Sequence, residues 1–359
     1  MRPRVAIAHE WLVAYAGSER CVEEMLTCFP DARLLTSLVQ SSTVPAPLRR
    51  AEGSFLQRLP GAWRHHQWLL PLMPLAWRLR APITDVDAVI SSSHACAKAV
   101  RAAPSIPHLC YCYTPMRYAW DFQAEQQRIV PVLRPAARLG MRWFRRWDRR
   151  TAQGVTRFLA ISRAVAHRLE LHYGRRADVV HPPVRTTFFT PAGPKDDFFL
   201  YVGRLVSYKR PDLVVEAFAD LPHPLVVVGT GHLLPQLMRR ATPNVTFKTG
   251  VGDEELRSLY RSARALVYPG EEDFGIVMAE AQACGTPVIA LARGGAPDIV
   301  EHGRTGYLIE RQEVAPLREA IRRAAVDEMD ASDLRASAER FSAATFRGRI
   351  VEAVDEVIH

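Results

Sequence analysis

No stretch of the 359 residues approaches the run of roughly 18–20 apolar residues that a membrane span requires. The most apolar run, Trp68 to Trp77, is ten residues long and is interrupted by Pro71 and Pro74. A secretory leader is not expected either, because Val5 to Ala8 is too short an apolar core and His9-Glu10 breaks it. The six cysteines form no C-x-x-C pair, which argues against a zinc ribbon or a dithiol redox motif. A chain this long needs no disulfide staple, so reduced thiols in a cytosolic protein are the expectation. Lysine is scarce, contributing four of the 47 basic side chains, at 98, 195, 209 and 248. There is no sequence repeat and no low-complexity tract. Apolar residues at 48% and charged residues at 24% exclude disorder and coiled coil as the main architecture.

Several small-molecule motifs are also missing. Gly229-Thr230-Gly231 lacks the third glycine of a dinucleotide fingerprint and an acid at the right distance. His65-His66 has no partner at metal-ligand spacing. Asp85-Val86-Asp87 is a D-x-D, but it precedes a strand and so faces the wrong end for a ligand. No metal site is expected.

What is present is alternation. Short β-branched runs, buried-strand candidates, occur at Val5–Ala8, Val86–Ser91, Leu109–Tyr113, Arg157–Ile161, Val179–His181, Phe198–Val202, Leu225–Val228, Val245–Lys248, Ala265–Tyr268 and Pro287–Leu291. Helical patterns lie between them, such as Glu19–Phe29 with Val22, Met25, Leu26 and Phe29 on one face. This predicts an α/β protein with parallel sheets. The pattern appears twice, over residues 1–182 and 183–340, around a Pro/Gly-punctuated linker from Pro182 to Pro194; residues 341–359 form a last helix that crosses back to the N-terminal domain. Two Rossmann-like domains facing across a cleft fit best, with ligands at the carboxyl ends of strands.

The formal charge of +9 is concentrated in the first half. Gly61–Pro82 mixes Trp63, Trp68 and Trp77 with Arg64, His65, His66, Arg78 and Arg80, and Arg134–Arg150 holds seven arginines with Trp143, Phe144 and Trp147. Such regions suit an anionic membrane surface. The alternative is a solvated basic face with its aromatics in the core. Nucleic acid is disfavoured because no nucleic-acid motif accompanies the charge.

The chemistry concentrates in Ala265–Glu301. A strand ends at Tyr268-Pro269; acids follow; a helix opens around Phe274–Val277, presenting free N–H groups and a positive dipole end, a ready-made diphosphate site. Glu272 and Glu280, eight residues apart, are poor phosphate ligands and good acceptors for sugar hydroxyls. Helix N-terminal acids without a ligand are the plainer reading of that loop. In Tyr201–Pro211, Arg204 and Lys209 stand five apart in a loop after a strand, so both can reach one diphosphate.

With these residues the chain resembles the retaining nucleotide-sugar glycosyltransferases of the GT-B fold, specifically glycosyltransferase family 4. The resemblance rests on Glu272…Glu280 within EEDFGIVMAEAQACGTPVIA, on Gly203, Arg204 and Lys209, and on the Gly294-Gly295 turn. It implies that Arg204 and Lys209 hold the donor diphosphate, with Gly203 opening that loop. Glu280 takes the ribose hydroxyls. Glu272 and the backbone of Phe274, Gly275 and Ile276 hold the transferred sugar. Thr249–Val251 is the nucleobase edge. In the first half, Gly17 is kept and Ser18 replaces the family's second glycine; His94 stands where related enzymes place a histidine near the sugar. Ser162, Tyr113-Thr114-Pro115 and Arg117–Asp121 resemble bacterial surface-polysaccharide enzymes, many of them mannosyltransferases. The expected reaction is therefore transfer of a hexose, with retention of configuration, from GDP-mannose or alternatively a UDP-sugar. The acceptor is a saccharide or a polyprenyl-diphosphate-linked saccharide, and neither a cofactor nor a metal is required. The setting is cytoplasmic or peripheral on the inner face of the plasma membrane. Rival readings are a sugar-nucleotide epimerase, a degenerate membrane-associated scaffold and a dinucleotide oxidoreductase.

Overall fold

The computed structural model describes residues 3–120 and 134–359. The chain divides into two units, Met1–His181 with Phe346–His359, and Pro182–Thr345. Each is built on its own six-stranded sheet.

In the first unit the strands are β1 (Val5–His9), β2 (Arg33–Thr36), β3 (Ala88–Ser93), β4 (His108–Cys112), β5 (Arg157–Ala160) and β6 (Ala177–Val179), in the order β2-β1-β3-β4-β5-β6. All pairings are parallel. The helices used below are α1 (Gly17–Cys28), α2 (Arg134–Gln153) and α3 (Arg163–Tyr173). Strands β1, β3 and β4 are buried along their whole length. Helices covering both sheet faces leave no polar side to these strands, which is why they read as continuous apolar runs.

The second unit has β7 (Phe199–Val202), β8 (Leu225–Val228), β9 (Val245–Lys248), β10 (Ala265–Tyr268), β11 (Val288–Leu291) and β12 (Gly306–Ile309), in the order β12-β11-β10-β7-β8-β9 and again all parallel. Helix α4 (Pro211–Phe218) follows the loop after β7, and α5 (Ile276–Ala283) follows the loop after β10. Helix α6 (Ala343–Ile358) closes the chain. From Phe346 onward it belongs to the first unit, where Phe346, Ile350, Ala353 and Val354 are buried and Phe346 meets Tyr111 edge to face.

The structure refines several expectations. The linker stretch from Pro182 to Pro194 is packed in its first part and exposed at Pro191–Pro194: Val184 and Phe189 are fully buried, and the Val184 N–H donates to the Phe341 carbonyl at 2.7 Å. Phe341 does not start the last helix; its ring packs on Phe274 inside the second unit. Strands β2 and β12 were not anticipated. Both sit at sheet edges, where short, mixed sequences suffice because only one neighbour must be paired. Strand β6 lies two residues before the expected Val179–His181, also at an edge.

Candidate functional site

In a parallel sheet every strand ends on the same edge, so the loops after β7, β8, β10 and β11 collect there in the second unit. Backbone contact fixes their mutual position. A side chain at Gly229 would place its Cβ 1.9 Å from the Gly203 carbonyl oxygen; at Gly294 it would lie 2.1 Å from that of Glu272. Gly294 also has φ +64°. The Gly295 N–H donates to the Glu272 carbonyl at 2.8 Å. The Gly294-Gly295 turn thus holds the loop that carries Glu272.

Lys209 and Glu272 come from different loops and meet there. The Lys209 ammonium lies 2.6 Å from Glu272 Oε1 and donates to the Tyr268 hydroxyl at 2.9 Å. That hydroxyl donates to the same Glu272 oxygen at 2.5 Å. Burial, then the nearby Glu272 carboxylate, pushes the Tyr268 phenol far above its ordinary value, so it stays protonated and can donate. The Tyr201 ring stacks on Tyr268, centroids 5.7 Å apart and nearly parallel, and its hydroxyl reaches the Lys209 carbonyl at 3.5 Å. Lys209 and Glu272 are both partly exposed, so as a surface ion pair they contribute about 1 kcal/mol or less to stability. Their value lies in a cation and a carboxylate set in place beside a helix start.

Arg204 is exposed and donates to the Tyr208 hydroxyl at 2.8 Å; the Tyr208 ring in turn lies 5.8 Å from the Lys209 ammonium. Lys209 is not at the start of an α-helix as expected. It ends a short 3₁₀ turn, Ser207–Lys209, and α4 begins at Pro211. The helix after Glu272 starts at Ile276, with Gly275 as its N-cap at φ +99°. Phe274 differs from the other loop residues. Its side chain is core, against Phe341, and so is not presented to a ligand. Glu280 is also largely buried, and the Tyr260 hydroxyl donates to it at 3.3 Å. Thr249 is exposed and Val251 half-buried at the end of β9.

The first unit gathers a second set after β1, β3 and β4. Glu10 is wholly buried. Its carboxylate accepts the Ser93 hydroxyl at 2.8 Å and the N–H groups of His94, Ala95, Cys96 and Ala97 at 3.2, 2.7, 2.8 and 2.9 Å. Burial alone would raise this carboxyl, but the His94 charge and the Ala97 and Cys96 N–H groups outweigh it and hold it below the ordinary range. The half-buried His94 ring meets Trp11 edge-on at 4.7 Å and Tyr113 at 6.3 Å. Burial holds its pKa below the usual histidine value, against the opposing pull of the Glu10 carboxylate. Gly17 is the first residue of α1. The Ser18 hydroxyl is engaged by Glu19 at 3.0 Å, and its carbonyl accepts from Tyr113 at 3.0 Å.

Sequence reasoning passed over Glu10, Tyr201 and Tyr268. His9-Glu10 reads only as the polar end of the short apolar run Val5–Ala8, and both tyrosines read as strand residues. A glutamate directly after a buried parallel strand is the one signal that was available. Asp87 of the D-x-D is taken by Arg4 at 2.8 Å. Among the described residues no group of three or more His, Cys, Asp or Glu could hold a metal ion. Asp121 lies outside the described residues.

Residues 15–188 match the family model "Glycosyltransferase Family 4", and residues 185–341 match "Glycosyl transferases group 1". The D-inositol 3-phosphate glycosyltransferases of Mycobacterium sp. (strain KMS) and Mycobacterium tuberculosis (strain F11) are 38% identical over 162 and 169 residues, 39% and 41% of this chain. The chain spans little more than a third of these curated relatives, 37% and 35% of their lengths. Similar solved structures include Anabaena HepE in complex with UDP and glucose, with a TM-score of 0.71, 16% identity and 97% of this chain and 99% of that one covered. Sucrose-phosphate synthase from Thermosynechococcus elongatus has a TM-score of 0.75, 18% identity and 98% and 99% coverage. These likenesses concern the fold.

Proposed function

The chain belongs to the GT-B glycosyltransferases of family 4, and from that premise we propose that it moves a hexose from a nucleoside-diphosphate sugar to an acceptor hydroxyl with retention of configuration. The observation that carries this reading is the meeting of Lys209 with Glu272 and Tyr268 beside the start of α5, with Arg204 five residues upstream of Lys209. As the sugar–phosphate bond breaks, the sugar becomes oxocarbenium-like and the diphosphate gains negative charge. Arg204, Lys209 and the leading N–H groups of α5 stabilise that charge in place, the kind of contribution that usually dominates catalysis. No metal is required if two cations and a helix end do this. Glu272 and the Phe274–Ile276 backbone orient the transferred sugar, and Glu280 takes the ribose hydroxyls. Thr249 and Val251 border the base. His94 and the α1 start at Gly17 are the candidate site residues of the first unit.

GDP-mannose is the donor inferred from the resemblance of Ser162, Tyr113-Thr114-Pro115 and Arg117–Asp121 to mannosyltransferases. A UDP-sugar is the second reading, favoured by the UDP held by HepE. The acceptor is a saccharide or a polyprenyl-diphosphate-linked saccharide of surface-polysaccharide synthesis, met at the inner face of the plasma membrane. Thermal-shift measurement with GDP, UDP, ADP, GDP-mannose, UDP-glucose and NAD, without metal, tests the donor class. Ligand at about 100 times its dissociation constant adds about 2.7 kcal/mol. A shift with GDP and GDP-mannose alone selects the first reading, and one with UDP and UDP-glucose the second; a shift with NAD alone overturns both. Arg204→Ala should lower turnover about 100- to 1,000-fold, the usual cost of one transition-state donor. Near-normal turnover would remove Arg204 from the diphosphate role.

A further inference from the structure

We propose that the segment His66–Arg78 of the first unit, with its flanking residues, is a docking face for an anionic lipid bilayer. The segment is one continuous helical run, a 3₁₀ stretch His66–Leu72 passing directly into the α-helix Met73–Arg78. It carries two apolar faces. Leu70, Met73, Ala76 and Trp77 are buried in the core. Trp68, Leu72, Leu75 and Leu79 recur at spacings of four, three and four, and point the other way, with exposures of 84, 42, 44 and 65%. An ordinary surface helix turns a polar face outward; this one offers water a second hydrophobic stripe, about 16–20 Å long at helical rise.

The surrounding charge identifies the occupant. No aspartate or glutamate occurs between Gly53 and Thr84. Arg58, Arg64, His65 and Arg78 are exposed there. Helix α2 leans on the same core cluster, through Phe144, Met141 and Trp147, and repeats the pattern. It exposes Leu139 and Trp143 together with Arg142, Arg146, Arg149 and Arg150. The one acid of α2, Asp148, is fully buried and paired with Lys98. A polyanion such as nucleic acid would use the arginines and leave the leucines wet. A protein surface of mixed charge would leave the arginines unmatched. A bilayer rich in anionic headgroups matches both, taking the Trp–Leu stripe at the headgroup–acyl boundary and the arginines on its phosphates.

This inference stands on the surface and not on the transfer reaction, so its test needs no turnover. The full-length chain is sedimented with phosphatidylcholine vesicles and with vesicles containing added phosphatidylglycerol. Two exposed-face variants are run alongside, Trp68→Ala with Leu79→Ala, and Arg64→Glu with Arg78→Glu. Far-ultraviolet melting and light scattering verify that each variant folds and report its oligomeric state. The expected result is partitioning onto the anionic vesicles only, weakened by added salt and at least tenfold in each double variant, with melting unchanged. Indifference of the wild-type chain to anionic lipid, or equal partitioning of wild type and folded variants, would overturn the proposal. So would a wild-type dimer that both variants dissolve without any vesicle binding, which would assign the stripe to a second copy of the chain.

Discussion

At the scale of single residues, the site is organised around side chains whose partners come from distant parts of the sequence. Tyr268 links Lys209 to Glu272, and its raised pKa keeps the proton on the phenol. Tyr268→Phe should keep the stacked ring and lose only the hydroxyl. We expect turnover about tenfold lower with little loss of stability, and about 100-fold lower for Lys209→Ala, which removes the charge proposed to face the leaving group. Steady-state kinetics of the pair checks this. Equal turnover in both variants would mean that the ammonium does not act on the donor. His108 offers a pH test away from the site. Burial lowers its pKa to about 4, with the nearby Lys98 adding to the effect, and its Nε2 bonds with Ser91 Oγ at 2.8 Å. A folded-state pKa below the unfolded value means the unfolded chain takes the proton first. Stability is therefore full above about pH 6.5 and falls as the pH drops toward 4, by about 3 kcal/mol at most from this residue. Urea midpoints across that range should show the slope, and His108→Gln should flatten it.

At the scale of elements, the loops matter more than the helices and strands they join. The turn at Gly294 and the loop at Glu272 are in backbone contact, so one cannot move without the other. Gly294→Ala meets both a positive φ and a carbonyl oxygen 2.1 Å from the new Cβ. Gly303 has φ +81° but open space around it. Gly303→Ala should therefore cost about 1–2 kcal/mol of backbone strain and leave donor binding intact. Gly294→Ala should cost more and weaken donor binding at least tenfold by displacing Glu272. Calorimetric titration of both variants separates strain from displacement. A matched pair of effects would show that the turn does not govern the loop. Glu10 plays a comparable part in the first unit, its carboxylate filling the ring of N–H groups that shapes the loop after β3.

At the scale of the whole molecule, the two units carry separate sheets and cores, and the chain offers a built-in way to watch them separately. All seven tryptophans, from Trp11 to Trp147, belong to the first unit. Indole fluorescence therefore reports on that unit alone, while far-ultraviolet circular dichroism reports on both. With nucleoside diphosphate held, as proposed, by the loops after β7 and β10, the dichroism transition in urea should shift upward and the fluorescence transition should stay in place. Two coincident transitions, moving together, would show that the chain unfolds as one cooperative body.

The sequence by itself determined the α/β class, the central strands of both sheets and the loops that carry the candidate site residues. Strands such as β1, β4 and β10 are buried on both faces, and full burial leaves a one-dimensional signature that needs no partner to be read. Spacing within one loop, as between Arg204 and Lys209, is local in the same way. Tertiary structure decided the rest, because the remaining features depend on pairs far apart in the chain. The edge strands β2 and β12 needed a neighbour to be recognised. That Val184, within the Pro182–Pro194 stretch, is core was shown only by its meeting Phe341, and the second apolar face of His66–Arg78 only by the burial of the first. Lys209 reaches Glu272 across 63 residues of sequence, and Glu10 reaches the N–H groups after β3 across more than 80. Such contacts arise from strand order and parallel register, which bring the strand ends to one edge, and no local pattern encodes which loops will meet there.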